Sequence, residues 1–106
     1  MQVFEALADP TRQRIVELLA ARDLSAGDIA AHFDVSRPAV SRHLRVLREA
    51  GLTNVTRDAQ QWVYRLDPAP LRDMETWLLK TRAHFDARLD ALGEHLDRRA
   101  KERKKR

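Results

Sequence analysis

The segment 35–51, VSRPAVSRHLRVLREAG, constrains the fold of this chain more than any other part of its sequence. Ser36 can cap a helix, Pro38 is tolerated in a first turn, where no backbone donor is needed, and Gly51 can adopt the left-handed conformation that ends a helix. At about 3.6 residues per turn, the segment forms a helix with two different faces. The apolar face holds Val40, Leu44 and Leu47, and the polar face holds Arg37, Pro38, Ser41, Arg42 and Arg45. The spacing predicts that the first face packs in a core. The second offers guanidinium forks, which suit guanine edges and phosphates, although a merely solvated charged face would show the same pattern.

A second, shorter helix is predicted immediately before this segment. Ser25 and Asp28 resemble a capping box in which Asp replaces the usual Glu, and the apolar pattern continues to Phe33. Only residues 34–35 then separate this helix from Ser36. Two short helices joined by a tight turn, the second of which carries the arginines, form a helix-turn-helix.

Two further helices are predicted nearer the N-terminus. Residues 1–7 form a short helical arm, and Asp9-Pro10 opens a helix that continues to about Ala21. The apolar side of the arm is made of Val3, Phe4 and Leu7. The core stripe of the second helix is Ile15, Leu18 and Leu19, with Val16 at its margin.

A β-hairpin is predicted over residues 53–66. Trp62, Tyr64 and Leu66 alternate with Val63 and Arg65, which is typical of a strand. The segment 58–61, DAQQ, is polar and turn-like, although it lacks the Asn-Gly pair that favours a two-residue turn. Beside a helix-turn-helix such a hairpin is a wing, and its tip carries Arg57, Gln60 and Gln61. The aromatic residues Trp62, Trp77 and Phe85 could line a small-molecule pocket, but core positions are the more common role for aromatics on such elements.

The last part of the chain is predicted to be one long helix from Pro70 onward. Its apolar residues recur at intervals of three, four and seven: Leu71, Met74, Leu78, Phe85, Leu89, Leu92 and Leu96. The following segment 98–106, RRAKERKKR, is too charged to pack, so we expect a disordered basic tail. The resulting domain prediction is a mainly α domain with a small β-hairpin (α+β) over residues 1–97, followed by this tail.

The distribution of charge favours a polyanionic partner. Residues 35–66 carry six arginines against two acids, and the tail carries seven basic residues against Glu102 alone. A positive region confined in this way is typical of nucleic-acid binding, with chance clustering as the alternative. The chain has 106 residues and no cysteine, which excludes disulfides and thiolate metal sites. Residues 1–10 do not resemble a secretory signal and no apolar run is long enough to span a membrane, so we expect a cytoplasmic protein with no membrane partner.

The segments ADPTRQRIVELL (8–19), LSAGDIAAHFDVSRPAVSRHLRVLREAGL (24–52) and WVYRLDP (62–68) resemble the ArsR/SmtB family of bacterial winged helix-turn-helix repressors. The resemblance extends from residue 3 to 97. It implies a homodimer that pairs through its first and last helices, inserts two recognition helices into a pseudo-palindromic operator of double-stranded DNA, and blocks transcription. Pro38 and Arg42 replace a small polar residue and a histidine of many relatives, so the operator should differ.

The resemblance also implies site residues. The expected DNA-binding residues are Ser36, Arg37, Pro38, Ser41, Arg42 and Arg45 on the recognition helix 36–50, and Arg57, Gln60 and Gln61 on the wing. The expected dimer interface consists of Val3, Phe4, Leu71, Met74, Leu78, Phe85, Leu89 and Leu92.

Many relatives are metal sensors, so their ligand positions need inspection. One site of the family needs a cysteine pair, which this chain lacks. Another lies on the last helix, where His84 and His95 have the matching separation but Arg82 and Arg98 occupy flanking ligand positions. Cations repel zinc, so we expect no metal and no other cofactor, and the inducer stays undetermined.

Three other functions stay open: a metal-responsive repressor that uses the two histidines, a non-specific nucleoid or architectural protein that binds through the tail, and a protein-interaction module. An enzyme is not expected, because the chain has no nucleophile–base pair and no glycine-rich phosphate loop.

Overall fold

The computed structural model describes residues 1–104, which are mostly helical with one small antiparallel sheet, as predicted. The elements in chain order are α1 (Gln2–Ala6), α2 (Pro10–Ala21), β1 (Leu24–Ser25), α3 (Ala26–Ala31), α4 (Arg37–Glu49), β2 (Thr53–Asp58), β3 (Gln61–Leu66) and α5 (Ala69–Lys104). No helix within the described residues is both long and apolar enough to cross a membrane.

The chain divides into two compact units, 1–74 and the part from Glu75 onward, and the division falls inside α5. The sequence predicted one domain to residue 97 and a disordered tail from residue 98. The structure instead continues α5 through Lys104, because arginine, lysine and glutamate all favour helix when their side chains are solvated. The last two residues of the predicted tail lie outside the described residues.

Polar side chains fix the starts of three helices. Asp9 Oδ2 accepts the Arg12 N–H at 3.0 Å at the start of α2, and Ser25 Oγ accepts the Asp28 N–H at 3.1 Å at the start of α3. The Ser36 hydroxyl accepts the Ala39 N–H at 3.3 Å and begins α4. These bonds satisfy backbone donors that have no partner inside a helix, so the predicted helix starts are confirmed.

The core of unit 1 lies between the helices and the inner face of the sheet. Its buried apolar residues are Val3, Ala6, Ile15, Val16, Leu19, Leu24, Ile29, Val40, Leu44, Leu47 and Leu52. Val16 is buried while Leu18 is only partly so, which is the reverse of the predicted stripe. The reason is that α2 packs against both α4 and β3, so its buried face is not limited to one stripe.

The sheet has three strands in the order β1-β3-β2, and both pairings are antiparallel. Leu24 of β1 lies opposite Tyr64 of β3, so the short β1 extends the predicted hairpin into a sheet. Asp58 pairs with Gln61, which reduces the predicted four-residue turn to the two residues between them. Ala59 accommodates this tight loop at a φ of 56°, and Gly51 ends α4 at a φ of 77° as predicted.

Candidate nucleic-acid interface

The two faces of α4 have the predicted environments. Val40, Leu44 and Leu47 are at most 3% exposed and attach the helix to the core. All the predicted DNA-binding side chains of this helix are exposed: Ser36, Arg37, Pro38, Ser41, Arg42 and Arg45. Because the buried face holds the helix in one orientation, the arginines project from a fixed support.

The N-terminal end of α4 favours anions. Its unpaired backbone N–H groups carry a partial positive charge, which attracts phosphate. The Ser36 oxygen accepts a backbone N–H, and its own hydroxyl hydrogen can still donate to an anion. Arg37 extends toward the start of α3, where its Nη2 lies beside Gly27. The groups of this end that attract anions are therefore the helix N-terminus and the Ser36 hydroxyl, with Arg37 as the first helical residue.

Within the described part of the chain, no acidic side chain neutralises the positive charge of this face. Within residues 1–104, no carboxylate lies at ion-pair distance from Arg37, Arg42 or Arg45. Arg65 differs, because its Nε donates to Asp23 Oδ2 at 3.1 Å. The arginines of α4 therefore keep their full capacity for an external anion.

The wing presents a second polar group. Arg57, Gln60 and Gln61 are all exposed at the tip of the hairpin, as predicted. The Arg57 Nε donates to the Ala59 carbonyl at 3.4 Å, and its Cζ lies 5.2 Å from the ring centroid of Trp62. Trp62 is 50% exposed, so the core role favoured by the sequence is wrong for this residue. Its position near the end of the hairpin, beyond the core, explains the exposure.

Arg12 is a functional candidate that the helical pattern did not reveal. Its Nε donates to the Ala6 carbonyl at 2.6 Å and its Nη2 to the Glu5 carbonyl at 3.3 Å, which caps the C-terminal end of α1. Its Nη1 lies 3.2 Å from His43 Nδ1 on α4. A guanidinium can only donate, so this contact is a hydrogen bond when the ring nitrogen is the acceptor. One side chain therefore ties α1 and α2 to the helix that carries the arginine face.

Asp9 completes this corner of the molecule. The Arg12 backbone N–H holds the pKa of the Asp9 carboxyl below its ordinary value of 3.8; burial opposes the shift and the nearby His43 and Arg12 charges support it. Asp9 Oδ2 also lies 3.9 Å from His43 Nδ1. The ADPTR segment (8–12) thus connects the end of α1 and the start of α2 to α4. Of these contacts, the sequence predicted only the helix cap at Asp9-Pro10.

The predicted dimer-interface residues fall into three environments. Val3 is 4% exposed and buried in its own chain, so it offers a partner almost no surface and is a correction to the prediction. Phe4, Leu71 and Met74 are partly buried against the core. Along α5, the exposed members are Leu78, Phe85, Leu89 and Leu92, each at least 47% exposed. These four and Leu96 form a stripe of large apolar side chains on one face of α5.

The two candidate metal-binding histidines lie apart. His84 and His95 are both exposed on α5, and a rise of 1.5 Å per residue separates them by about 16 Å along the axis. A single chain therefore cannot bring both to one ion. Within the described residues, no group of three histidine, aspartate or glutamate side chains converges on a possible metal position.

Comparison with known proteins gives consistent matches over this region. The family model described as "Bacterial regulatory protein, arsR family" matches residues 9–55. The transcriptional repressor SdpR of Bacillus subtilis is 43% identical over 77 residues, or 73% of this chain and 86% of that protein. The HTH-type transcriptional regulator Rv2034 of Mycobacterium tuberculosis is 45% identical over 75 residues, or 71% of this chain and 70% of that protein.

A solved structure gives the same result for the fold. An ArsR-like transcriptional regulator from Rhodococcus sp. RHA1 superposes with a TM-score of 0.84 at 33% identity, covering 91% of this chain and 88% of that one. The predicted winged helix-turn-helix fold is thereby confirmed.

Proposed function

Because this chain belongs to the arsR family of bacterial regulatory proteins, we propose that it is a homodimeric repressor that binds a pseudo-palindromic operator. It is a DNA-binding transcriptional regulator and not an enzyme. The observation that carries the finer proposal is the exposed arginine face of α4, which has no carboxylate partner in the described residues and lies opposite a buried apolar face. Such a regulator acts on the chromosome in the cytoplasm.

The proposed DNA contacts divide into base reading and positioning. Arg37, Pro38, Ser41 and Arg42 lie in the first turns of the recognition helix, which enters the major groove, where arginine pairs with the O6 and N7 acceptors of guanine. Ser36 and Arg45 contact phosphates, which fix the register without reading sequence. The wing residues Arg57, Gln60 and Gln61 contact the backbone or the minor groove.

The dimer is proposed to form through α1 and α5 within residues 1–97. The exposed stripe on α5 is too apolar to remain in water, and pairing with a second copy would cover it. A twofold dimer of this kind carries two recognition helices roughly 34 Å apart, one turn of DNA. Leu89→Glu with Leu92→Glu should give monomers and abolish operator binding, whereas Ala83→Glu with Ala87→Glu, on the opposite face, should remain dimeric. A dimeric Leu89→Glu, Leu92→Glu protein in sedimentation would refute the interface.

The central experiment measures sequence-specific binding. A duplex selected by the protein from a randomised library should keep a footprint in excess random DNA. Arg42→Ala should weaken its binding by about 1–3 kcal/mol and relax the preference at one base position per half-site. Arg14→Ala removes the same charge from an exposed site on α2 and should have little effect. Equal affinity of the Arg42→Ala variant and the parent would refute the assignment.

A second candidate function is non-specific DNA binding through the basic end of α5. Exposed basic side chains at residues 98–103 support it. A chain that ends at Asp97 distinguishes the two functions. A repressor keeps its footprint after this truncation, whereas a tail-driven binder loses both its affinity and most of the salt dependence of binding.

A further inference from the structure

Trp62 has no role in the proposed function, yet it lies beside a proposed DNA contact. We propose that Trp62 is a positioning residue, which holds the Arg57 guanidinium ready for the DNA backbone or minor groove next to the recognition helix. This inference rests on the proposed function and deepens it, because it assigns the geometry of the wing contact to one exposed aromatic side chain.

The strand register brings the two side chains together. Arg57 of β2 and Trp62 of β3 are directly paired, so both side chains leave the same face of the hairpin. The Arg57 Cζ lies 5.2 Å from the Trp62 ring centroid, within the range in which a cation is attracted to the ring face. The Nε–H is bonded to the Ala59 carbonyl at 3.4 Å. The guanidinium is therefore held by the ring and by its own Nε, and both Nη groups keep their donors.

A purely structural role does not account for Trp62. The next two residues on its face of β3, Tyr64 and Leu66, pack against the core, but Trp62 is 50% exposed. Within residues 1–104, its indole N–H has no hydrogen-bond partner. A half-exposed tryptophan that neither fills the core nor forms a hydrogen bond has Arg57 as its cross-strand partner, and Arg57 is the side chain proposed to contact DNA.

The physical benefit is a reduced entropic cost of binding. A free arginine side chain samples many rotamers, and ordering it on DNA costs conformational entropy. An arginine already stacked on a ring has lost part of this freedom before binding, and its planar fork can then bind an acceptor with less further loss. The gain appears as tighter DNA binding, although no additional bond to DNA is formed.

A double-mutant cycle on operator affinity tests the coupling. The probe is the duplex selected by the parent protein, and the four proteins are the parent, Trp62→Ala, Arg57→Ala and the double variant. Trp62→Ala should weaken binding about two- to five-fold, the range that corresponds to an exposed cation–π contact. In the Arg57→Ala background, the same substitution should have almost no effect. An equal loss in both backgrounds would overturn the proposal, because Trp62 would then act independently of Arg57.

Conservative variants separate the ring face from apolar volume. Trp62→Phe keeps an aromatic face and should retain part of the affinity, whereas Trp62→Leu should behave like Trp62→Ala. Equal affinities of the Phe and Leu variants would contradict a cation–π contact.

Fluorescence tests the contact in the free protein. In a Trp77→Phe background, Trp62 is the only tryptophan, and its emission should change with Arg57→Ala and again on addition of the duplex. Emission that responds to neither change would overturn the proposal.

The controls distinguish this inference from the proposed function. If the parent binds the duplex specifically and Arg42→Ala weakens binding, while Trp62 and Arg57 act independently, only the wing inference fails. If the parent selects no sequence, the proposed function fails and this inference fails with it.

Discussion

Replacement of Arg12 by alanine should destabilise the protein more than any exposed substitution in unit 1. The variant loses the side-chain bonds to the Ala6 carbonyl, the Glu5 carbonyl and His43. Bonds from a charged donor contribute about 1.5–3 kcal/mol each when well shielded. Only the bond to the Ala6 carbonyl is short, and the bond to the Glu5 carbonyl is exposed to solvent. We therefore expect Arg12→Ala to lower the free energy of unfolding by about 2–3 kcal/mol, less than the sum of three shielded bonds.

Urea and thermal unfolding at one fixed protein concentration measure this change, because the proposed dimer would make the apparent stability depend on concentration. For a domain of this size, a loss of 1 kcal/mol lowers the Tm by about 4–8 °C. Arg14→Ala is the matched control, since its ion pair with Glu17 at 3.3 Å is more than half exposed on both sides and contributes about 0.5 kcal/mol or less. Arg12→Lys keeps the positive charge but not the several N–H donors of the guanidinium, so it should restore only part of the stability that Arg12→Ala loses.

A loss below about 0.5 kcal/mol for Arg12→Ala, comparable with a surface pair, would refute the reasoning that Arg12 joins the three helices. A stable variant that still binds the selected duplex with parental affinity would lead to the same conclusion from the functional side.

Three further predictions concern stability and metals. Thr53 is 2% exposed, and its hydroxyl has no hydrogen-bond partner in the described part of the chain. Thr53→Val should therefore raise the free energy of unfolding by about 1 kcal/mol, whereas Thr56→Val, at an exposed position of the same strand, should be nearly neutral. A Thr53→Val variant that is less stable than the parent would contradict this prediction. The pKa of Asp9 is lower in the folded protein than in the unfolded one, so the ionised carboxylate stabilises the fold. This stabilisation is fully present above the pKa of an unfolded aspartate, near pH 4, and is lost as the pH falls through the pKa of Asp9 in the folded protein. Asp9→Asn keeps a capping oxygen and should show a shallower acid-induced loss in urea melts than the parent; identical profiles would exclude this role. After chelator treatment, micromolar zinc should change operator affinity by less than about threefold, and a tenfold loss that disappears with His84→Ala and His95→Ala would make the protein a metal sensor.

The starts of the helices and their apolar and polar faces could be predicted from the sequence, because both depend only on residues that are close together in the chain. A serine or aspartate three residues before a backbone donor can cap a helix wherever that helix later packs. The spacing of Val40, Leu44 and Leu47 gives one apolar face in any environment, and the exposed arginines follow on the opposite face. The bounds of α4 and both of its faces were therefore predicted from the sequence.

Tertiary structure decided the features that depend on distant residues. The two-residue strand β1 is too short to show alternation and exists because Leu24 lies opposite Tyr64. Val3 was assigned to a partner's surface, but the packing of α1 on its own chain buries it. The Arg12 network and the Arg57–Trp62 contact join residues through hydrogen bonds and a ring contact that no spacing along the chain encodes. Periodicity reports which face of an element is apolar, whereas packing decides what covers that face and which polar groups meet across it.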